Sequence, residues 1–347
     1  HLRDGWSIFN PELGEYITPV PPQMRRGAGW YEGTADAVFQ NLYLLERSAD
    51  EEVLILSGDH IYRMDYAEMI HFHRQHKAPA TIACMEVPTG EAQGFGVISV
   101  DDRERVTGFT EKPENAVALE ASPGRCLASM GIYVFNRDFL IDVLQKDAAD
   151  PDSSHDFGHD VIPEAIEKCR VFAYPFHDVK TRAQSYWRDV GTLDAYWEAN
   201  MELVEITPEL NLYDEDWPIL TYQRQLPSAK FVFQDEGREG KALDSIVSGG
   251  CIISGALLRH SLLFSNVHVH SHAEVEDSVV LPEADIGRGA RVPTTAATEI
   301  AANAVPWDLR SDSSRMSPSS PRPLVARWAT GIPSDTSRER SHRPLVP

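Results

Sequence analysis

A chain of 347 residues with 42% hydrophobic content can bury two separate cores. Its formal charge of −21, from 53 acidic against 32 basic residues, argues against a nucleic-acid or anionic-membrane surface, so an anionic substrate must be met by local basic groups. No apolar run reaches the roughly 20 residues of a membrane span, no signal pattern opens the chain, and Cys84, Cys126, Cys169 and Cys251 are too scattered for a zinc site or a disulfide framework. A cytoplasmic protein with reduced thiols is expected.

Residues 1–30 mix the aromatic anchors Trp6, Phe9 and Tyr16 with a Pro/Gly-rich loop holding Arg25 and Arg26. This reads as an exposed loop whose paired arginines either hold an anion or are solvated. No strand or glycine-rich turn precedes it, so the chain is expected to be a fragment. Val38, Leu42 and Leu45 then have the spacing of a helix with one apolar face. Gly33 and Thr34 stand at its start, where small residues let a base or phosphate approach free N–H groups and Tyr31 could pack on the base. An ordinary threonine cap beside a core tyrosine fits the same residues.

Residues 53–56 are aliphatic without polar alternation, as in a strand buried on both faces of a parallel sheet. Ser57, Gly58 and Asp59 end the run. Ligands of open α/β sheets collect beyond the carboxyl ends of strands, which makes Asp59 a candidate metal ligand; the other reading is a turn in which Asp59 caps a helix starting near Asp65. A helix over 65–76 and a strand over 80–87 follow, a βαβ pattern. Strands over 95–100 and 106–110 flank a turn at Asp101 and Asp102. The second runs into Glu111, Lys112 and Pro113, so proline ends it and leaves a lysine at its terminus. That lysine could meet a phosphate or simply pair with Glu111 at the surface.

Residues 128–135 read as a strand entered through a small-residue turn, 139–144 and 157–168 as helices, and 171–176 as a further strand. Asp189 then sits in a strand-to-turn setting before a helix over 193–204. Two such aspartates at one sheet edge would form a Mg²⁺ site of few carboxylates, its shell completed by substrate phosphates. From Leu243 the pattern changes: Cys251, Leu257, Leu263, Val269, Val275 and Leu281 recur every sixth residue, and Ile286 and Val292 resume the spacing after a one-residue slip. This predicts a parallel β-helix, a form that often associates. Residues 293–347 are rich in Pro, Ser, Thr and Arg and lack lysine, a disordered-tail composition that a change of reading frame would also produce. The expected domains are 1–205 catalytic, 206–242 linker, 243–292 β-helix and 293–347 tail.

Taken together, the segments WYEGTADAV (30–38), SGDHIY (57–62), GFGV (94–97), EKP (111–113), ASMGIY (128–133), SHDFG (154–158), YWRDVGT (186–192) and VSGGC (247–251) resemble bacterial glucose-1-phosphate adenylyltransferases over roughly residues 1–292. The resemblance implies an α/β, Rossmann-like nucleotidyltransferase domain followed by a left-handed parallel β-helix. It implies the reaction of ATP with α-D-glucose 1-phosphate to ADP-glucose and diphosphate in glycogen biosynthesis. Tyr31, Gly33 and Thr34 would then line the adenine side, and Asp59 and Asp189 would hold Mg²⁺ beside the ATP. Glu111 would meet the glucose hydroxyls and Lys112 the sugar phosphate, while Gly96, Ser129 and Trp187 shape the sugar pocket; Asp59, Asp189 and Lys112 form the implied catalytic set. Sugar-phosphate effectors and a homotetramer are implied for the intact protein.

The family's opening strand and glycine-rich, arginine-containing loop have no counterpart here, and that loop would supply N–H groups to the triphosphate. The chain as written is therefore expected to be inactive or nearly so. Competing readings are a pyrophosphorylase for another sugar nucleotide, a uridylyltransferase with an acyltransferase β-helix, and a non-catalytic subunit. Retention of both Asp59 and Asp189 argues against the last.

Overall fold

The computed structural model describes residues 17–21, 30–120, 122–178, 183–219, 221–235 and 237–292. Trp6, Phe9, Tyr16, the Arg25-Arg26 pair and the 293–347 tail lie outside them. The chain divides into two compact units, the first running to Asp189 and the second starting at Val190.

The first unit opens with two short helices, α1 (Thr34–Phe39) and α2 (Leu42–Arg47), instead of one. Strand β1 (Glu52–Ile55) and the short β2 (His60–Tyr62) lead into α3 (Tyr66–His76). The cap of α3 is Asp65, whose carboxylate accepts from Ala67 N, so Asp59 is released from that duty. Then come β3 (Ala80–Pro88), β4 (Gly96–Val100), β5 (Val106–Glu111), β6 (Arg125–Asn136) and α4 (Arg137–Asp147). A wide π-type turn at Phe157–Val161 opens α5 (Ile162–Lys168), and β7 (Val171–Pro175) and β8 (Trp187–Asp189) close the unit.

The sheet runs β5-β4-β6-β3-β7, with β1 also paired to β6. Only β3 and β7 are parallel; β1–β6, β3–β6, β4–β6 and β4–β5 are antiparallel. The expectation of a parallel sheet around β1 is thus corrected. β1 lies antiparallel to β6 and is half-buried throughout, while Leu56 just beyond it is 43% exposed. The strand buried on both faces is β3, whose alternate residues feed two cores. Ala80, Ile82 and Cys84 pack with Ala35, Leu42, Leu140, Leu144 and Ile162, whereas Ala83, Met85 and Val87 pack with Met69, Phe176 and Trp187. Helices therefore cover both faces, as a Rossmann-like layer requires.

β6 runs straight through the predicted small-residue turn, but with a bulge. Ile82 of β3 faces Tyr133 and Cys84 faces Ser129, so β6 carries extra residues between them, and Gly131 takes φ +64°. Such a bulge kinks a strand and re-aims its side chains.

The second unit starts with α6 (Leu193–Glu202), capped by Thr192, whose hydroxyl accepts from Ala195 N at 3.2 Å. A parallel β-helix follows. Its first strand, Lys230–Val232, pairs in parallel with Ile252–Ser254, so the coil begins ahead of residue 243. Ile252 then pairs with His268 and His268 with Asp285, offsets of 16 and 17 residues. A positive φ recurs every five or six residues, at Asp244, Gly250, Gly255, His260, Asn266, His272, Asp277, Glu283 and Gly289. These left-handed corners turn the chain between faces. Because faces alternate between five and six residues, a strict six-residue count drifts: Cys251, Leu263, Val269, Val275, Ile286 and Val292 are buried, but Leu257 is only half-buried and Leu281 is 46% exposed. Leu258 and Val280 take their places in the core. Met201 and Val204 pack on Leu262 and Val279, and Trp197 Nε1 donates to Asp277 O at 3.1 Å, tying α6 to the coil. Among the described residues no helix is long and apolar enough to cross a membrane.

Candidate active site

The first unit holds a cleft of about 460 Å³. One wall is the two-stranded antiparallel ladder of β2 and β8, in which His60 pairs with Asp189 and Tyr62 with Trp187. That register brings together two aspartates 130 residues apart in sequence, and one ligand atom each from Asp59, His60 and Asp189 lies within 4.8 Å of the others. Ser57 Oγ donates to Asp59 Oδ1 at 2.6 Å and holds the carboxyl below the usual range, outweighing the opposing effect of partial burial. Asp59 is therefore an anion at neutral pH. Two carboxyl groups with a nearby imidazole form a donor set that suits a hard divalent cation.

The end of β5 also lines the cleft, through Glu111 and Lys112. Glu111 pairs with Gly96 across the β4–β5 ladder, and its carboxylate lies over two glycines. A Cβ on Gly96 would stand 2.8 Å from Glu111 Oε2 and 2.3 Å from the Phe109 ring; one on Gly158 would stand 2.9 Å from the same oxygen. Only glycine leaves room for this carboxylate. Its burial raises the Glu111 pKa against the lowering effect of Lys112, and the nearby Asp156 raises it further. Lys112 has φ +45° and its N–H donates to Phe95 O at 3.0 Å. A non-glycine residue in that region costs about 1–2 kcal/mol, and the bend leaves Nζ exposed, 3.8 Å from Glu111 Oε1.

The β6 bulge supplies Ser129 and Gly131, the latter packed against His60: a Cβ there would be 3.2 Å from His60 Cε1. Thr34 also lines the cleft. It is not a helix cap: its hydroxyl donates to Asp156 Oδ2 at 2.9 Å and accepts from Phe157 N at 3.0 Å, fastening α1 to the turn before α5. Asp156 in turn accepts from Gly158 N and His159 N.

Of the residues singled out by sequence, Thr34, Gly96, Glu111, Lys112, Ser129 and Asp189 line this cleft, and Asp59 lies between its lining neighbours Gly58 and His60. Three others are set back from it. Gly33 is pressed against the 154–155 backbone, where a Cβ would stand 2.2 Å from His155 O. Tyr31 Oη accepts from Asn41 Nδ2 at 3.0 Å. Trp187 is 5% exposed and sits behind the wall, its ring 4.9 Å from that of His60 and 5.3 Å from that of Phe95. The expectation of free N–H groups at the start of α1 is also corrected, because Ala35 N and Asp36 N both donate to His155 O, which fills the place of an anion. Sequence reasoning did not single out His60, Asp156 and Gly158. They fall inside SGDHIY and SHDFG, but their roles depend on which strand end or loop each segment meets.

Comparison with known proteins fits this geometry. Residues 12–206 match the family described as Nucleotidyl transferase, and residues 227–309 the family described as GlmU-like, C-terminal hexapeptide. Fold and cleft thus define a nucleotidyltransferase enzyme joined to a left-handed hexapeptide coil. The glucose-1-phosphate adenylyltransferase of Methylococcus capsulatus is 54% identical over 292 residues, covering 84% of this chain and 69% of the relative. That of Nitrosospira multiformis is 55% identical over 295 residues, with coverage of 84% and 69%. The chain belongs to the glucose-1-phosphate adenylyltransferase family.

Proposed function

We infer that the cleft transfers the adenylyl group of ATP to α-D-glucose 1-phosphate, giving ADP-glucose and diphosphate, the entry reaction of bacterial glycogen synthesis. The observation that carries the site assignment is that Glu111, Lys112 and Asp189 line one cleft, with Asp59 held close to Asp189. A phosphate oxygen of the sugar phosphate attacks the α-phosphorus of ATP in line, and the bond from that phosphorus to the bridging oxygen of diphosphate breaks. Both reactants are anions, so orientation and charge neutralisation carry the rate and no protein nucleophile is needed. Lys112 Nζ offers its charge to the sugar phosphate, while Glu111, fixed over Gly96 and Gly158, accepts from glucose hydroxyls. Asp59 and Asp189 would hold Mg²⁺, which would supply neutralisation of phosphate charge. Thr34 borders the nucleotide side, and Tyr31, Gly33 and Trp187 support the walls from behind.

The substrates are cytoplasmic metabolites, which assigns the enzyme to that compartment. The coil offers an assembly surface for a homotetramer, and sugar-phosphate effectors would act on that assembly. The test is a titration of the purified chain with glucose 1-phosphate, ATP, UTP and GTP in the presence of Mg²⁺, by calorimetry and by product analysis. Saturable binding of glucose 1-phosphate with at least tenfold preference for ATP is expected. Equal affinity for the three nucleotides would point instead to another sugar-nucleotide pyrophosphorylase, and failure to bind any of them would remove the assignment. ADP-glucose formation in the same experiment would demonstrate the transfer directly.

A further inference from the structure

The coil carries a second cluster of metal-ligating side chains, remote in sequence from the cleft residues. His268 and His270 flank Val269, which is fully buried, so alternation along the strand turns both imidazoles to the outer face of the coil. Asp285, one coil turn later, is the register partner of His268. In a parallel ladder such partners stand side by side on one face, roughly 4.8 Å apart. The two imidazole centroids are 3.9 Å apart, and His270 Nε2 lies 2.9 Å from Asp285 Oδ1. One ligand atom from each of the three residues falls within 4.8 Å of both others.

Two imidazole nitrogens with one carboxylate oxygen form a donor set unlike that of the cleft. Mg²⁺ selects oxygen ligands, whereas imidazole suits Zn²⁺ and its neighbours in the first transition row. We propose that His268, His270 and Asp285 form a transition-metal site of the Zn²⁺ class that clips two successive turns of the coil together. Tetrahedral ligation at roughly 2.0–2.1 Å calls for ligand atoms near 3.4 Å apart, and side-chain rotation on the outer face supplies that closure. Water completes the shell. The ladder itself does not depend on these side chains, because His268 N donates to Ala284 O at 3.0 Å and His270 N to Ile286 O at 2.9 Å through the backbone.

The experiment uses the tag-free chain, stripped with a chelator and titrated with Co²⁺ and Zn²⁺, together with thermal unfolding with and without Zn²⁺. Visible cobalt bands saturating at one equivalent, displaced by Zn²⁺, and a higher Tm in Zn²⁺ are expected. His268→Ala and, separately, Asp285→Asn should weaken cobalt binding at least tenfold and abolish the gain in Tm. Asp59→Asn should leave both intact, which separates this site from the cleft. Absence of the bands in the unsubstituted chain, or affinity unchanged within twofold in both coil variants with native circular dichroism, would overturn the proposal.

Discussion

His60 and Asp189 face each other across the antiparallel ladder of β2 and β8. Directly opposite residues share a face, so this register sets His60 beside Asp189, and Asp59, one residue before β2, falls within reach of both. Asp59→Asn removes an anionic oxygen while keeping its size. Mn²⁺ affinity, read by electron paramagnetic resonance, should fall tenfold or more with the fold unchanged, and any turnover should fall by orders of magnitude. Mn²⁺ binding equal to that of the unsubstituted chain would exclude Asp59 as a ligand.

Glu111 makes opposite demands on binding and stability. Its folded-state pKa is raised by burial, so the folded protein favours the protonated carboxyl. The ionised form therefore costs stability in full above the folded pKa, and the cost fades as pH falls from there to the unfolded value of about 4.3, below which it is gone. Glu111→Gln should raise Tm near neutral pH while weakening glucose 1-phosphate binding about tenfold, equivalent to about 1.4 kcal/mol. A variant that loses both Tm and affinity would contradict this trade-off.

Gly33 and Gly90 make a matched pair. A Cβ on Gly33 meets the backbone carbonyl of His155 at 2.2 Å, whereas one on Gly90 meets nothing within 4 Å. Backbone cannot yield as a side chain can, so Gly33→Ala should cost about 1–3 kcal/mol. Gly90→Ala should stay within about 0.5 kcal/mol. Urea titration of the two variants compares them directly, and equal midpoints would refute the packing argument.

His73 is a buried histidine, set between Thr81 Oγ1 at 2.8 Å and Asn136 Oδ1 at 3.0 Å. Burial lowers its pKa, so the unfolded chain takes up a proton before the folded one does. Its contribution to stability is whole above about pH 6.5 and declines as pH falls from there through the lower folded pKa. His73→Gln should flatten the loss of Tm between neutral and mildly acid pH. An unaltered pH slope would assign that loss to other groups.

Much of this architecture was legible in the sequence because its causes are local. Residues 80–87 and 171–176 read as strands from their aliphatic runs, and β3 and β7 lie there. The coil was legible because stacking repeats one apolar demand at each turn. Its exact phase was not, since the corners at Asp244, His260, Asn266 and Glu283 are left-handed without being glycine, and nothing in composition marks them. Leu257 and Leu281 look like core residues and are not, because a face one residue shorter rotates them outward.

The cleft divides along the same line. Asp59, Lys112 and Asp189 could be singled out because each charge follows or ends a strand, the place where ligands of open α/β sheets collect. Strand direction, by contrast, is a long-range property: β1 and β6 are antiparallel through pairing of residues about 80 apart. Only that folding decided that His60 stands opposite Asp189, that Gly96 and Gly158 make the space for Glu111, and that His155 O occupies the amides at the start of α1. The residue types of the site follow from local chemistry; their meeting follows from register and close packing, which no single segment contains.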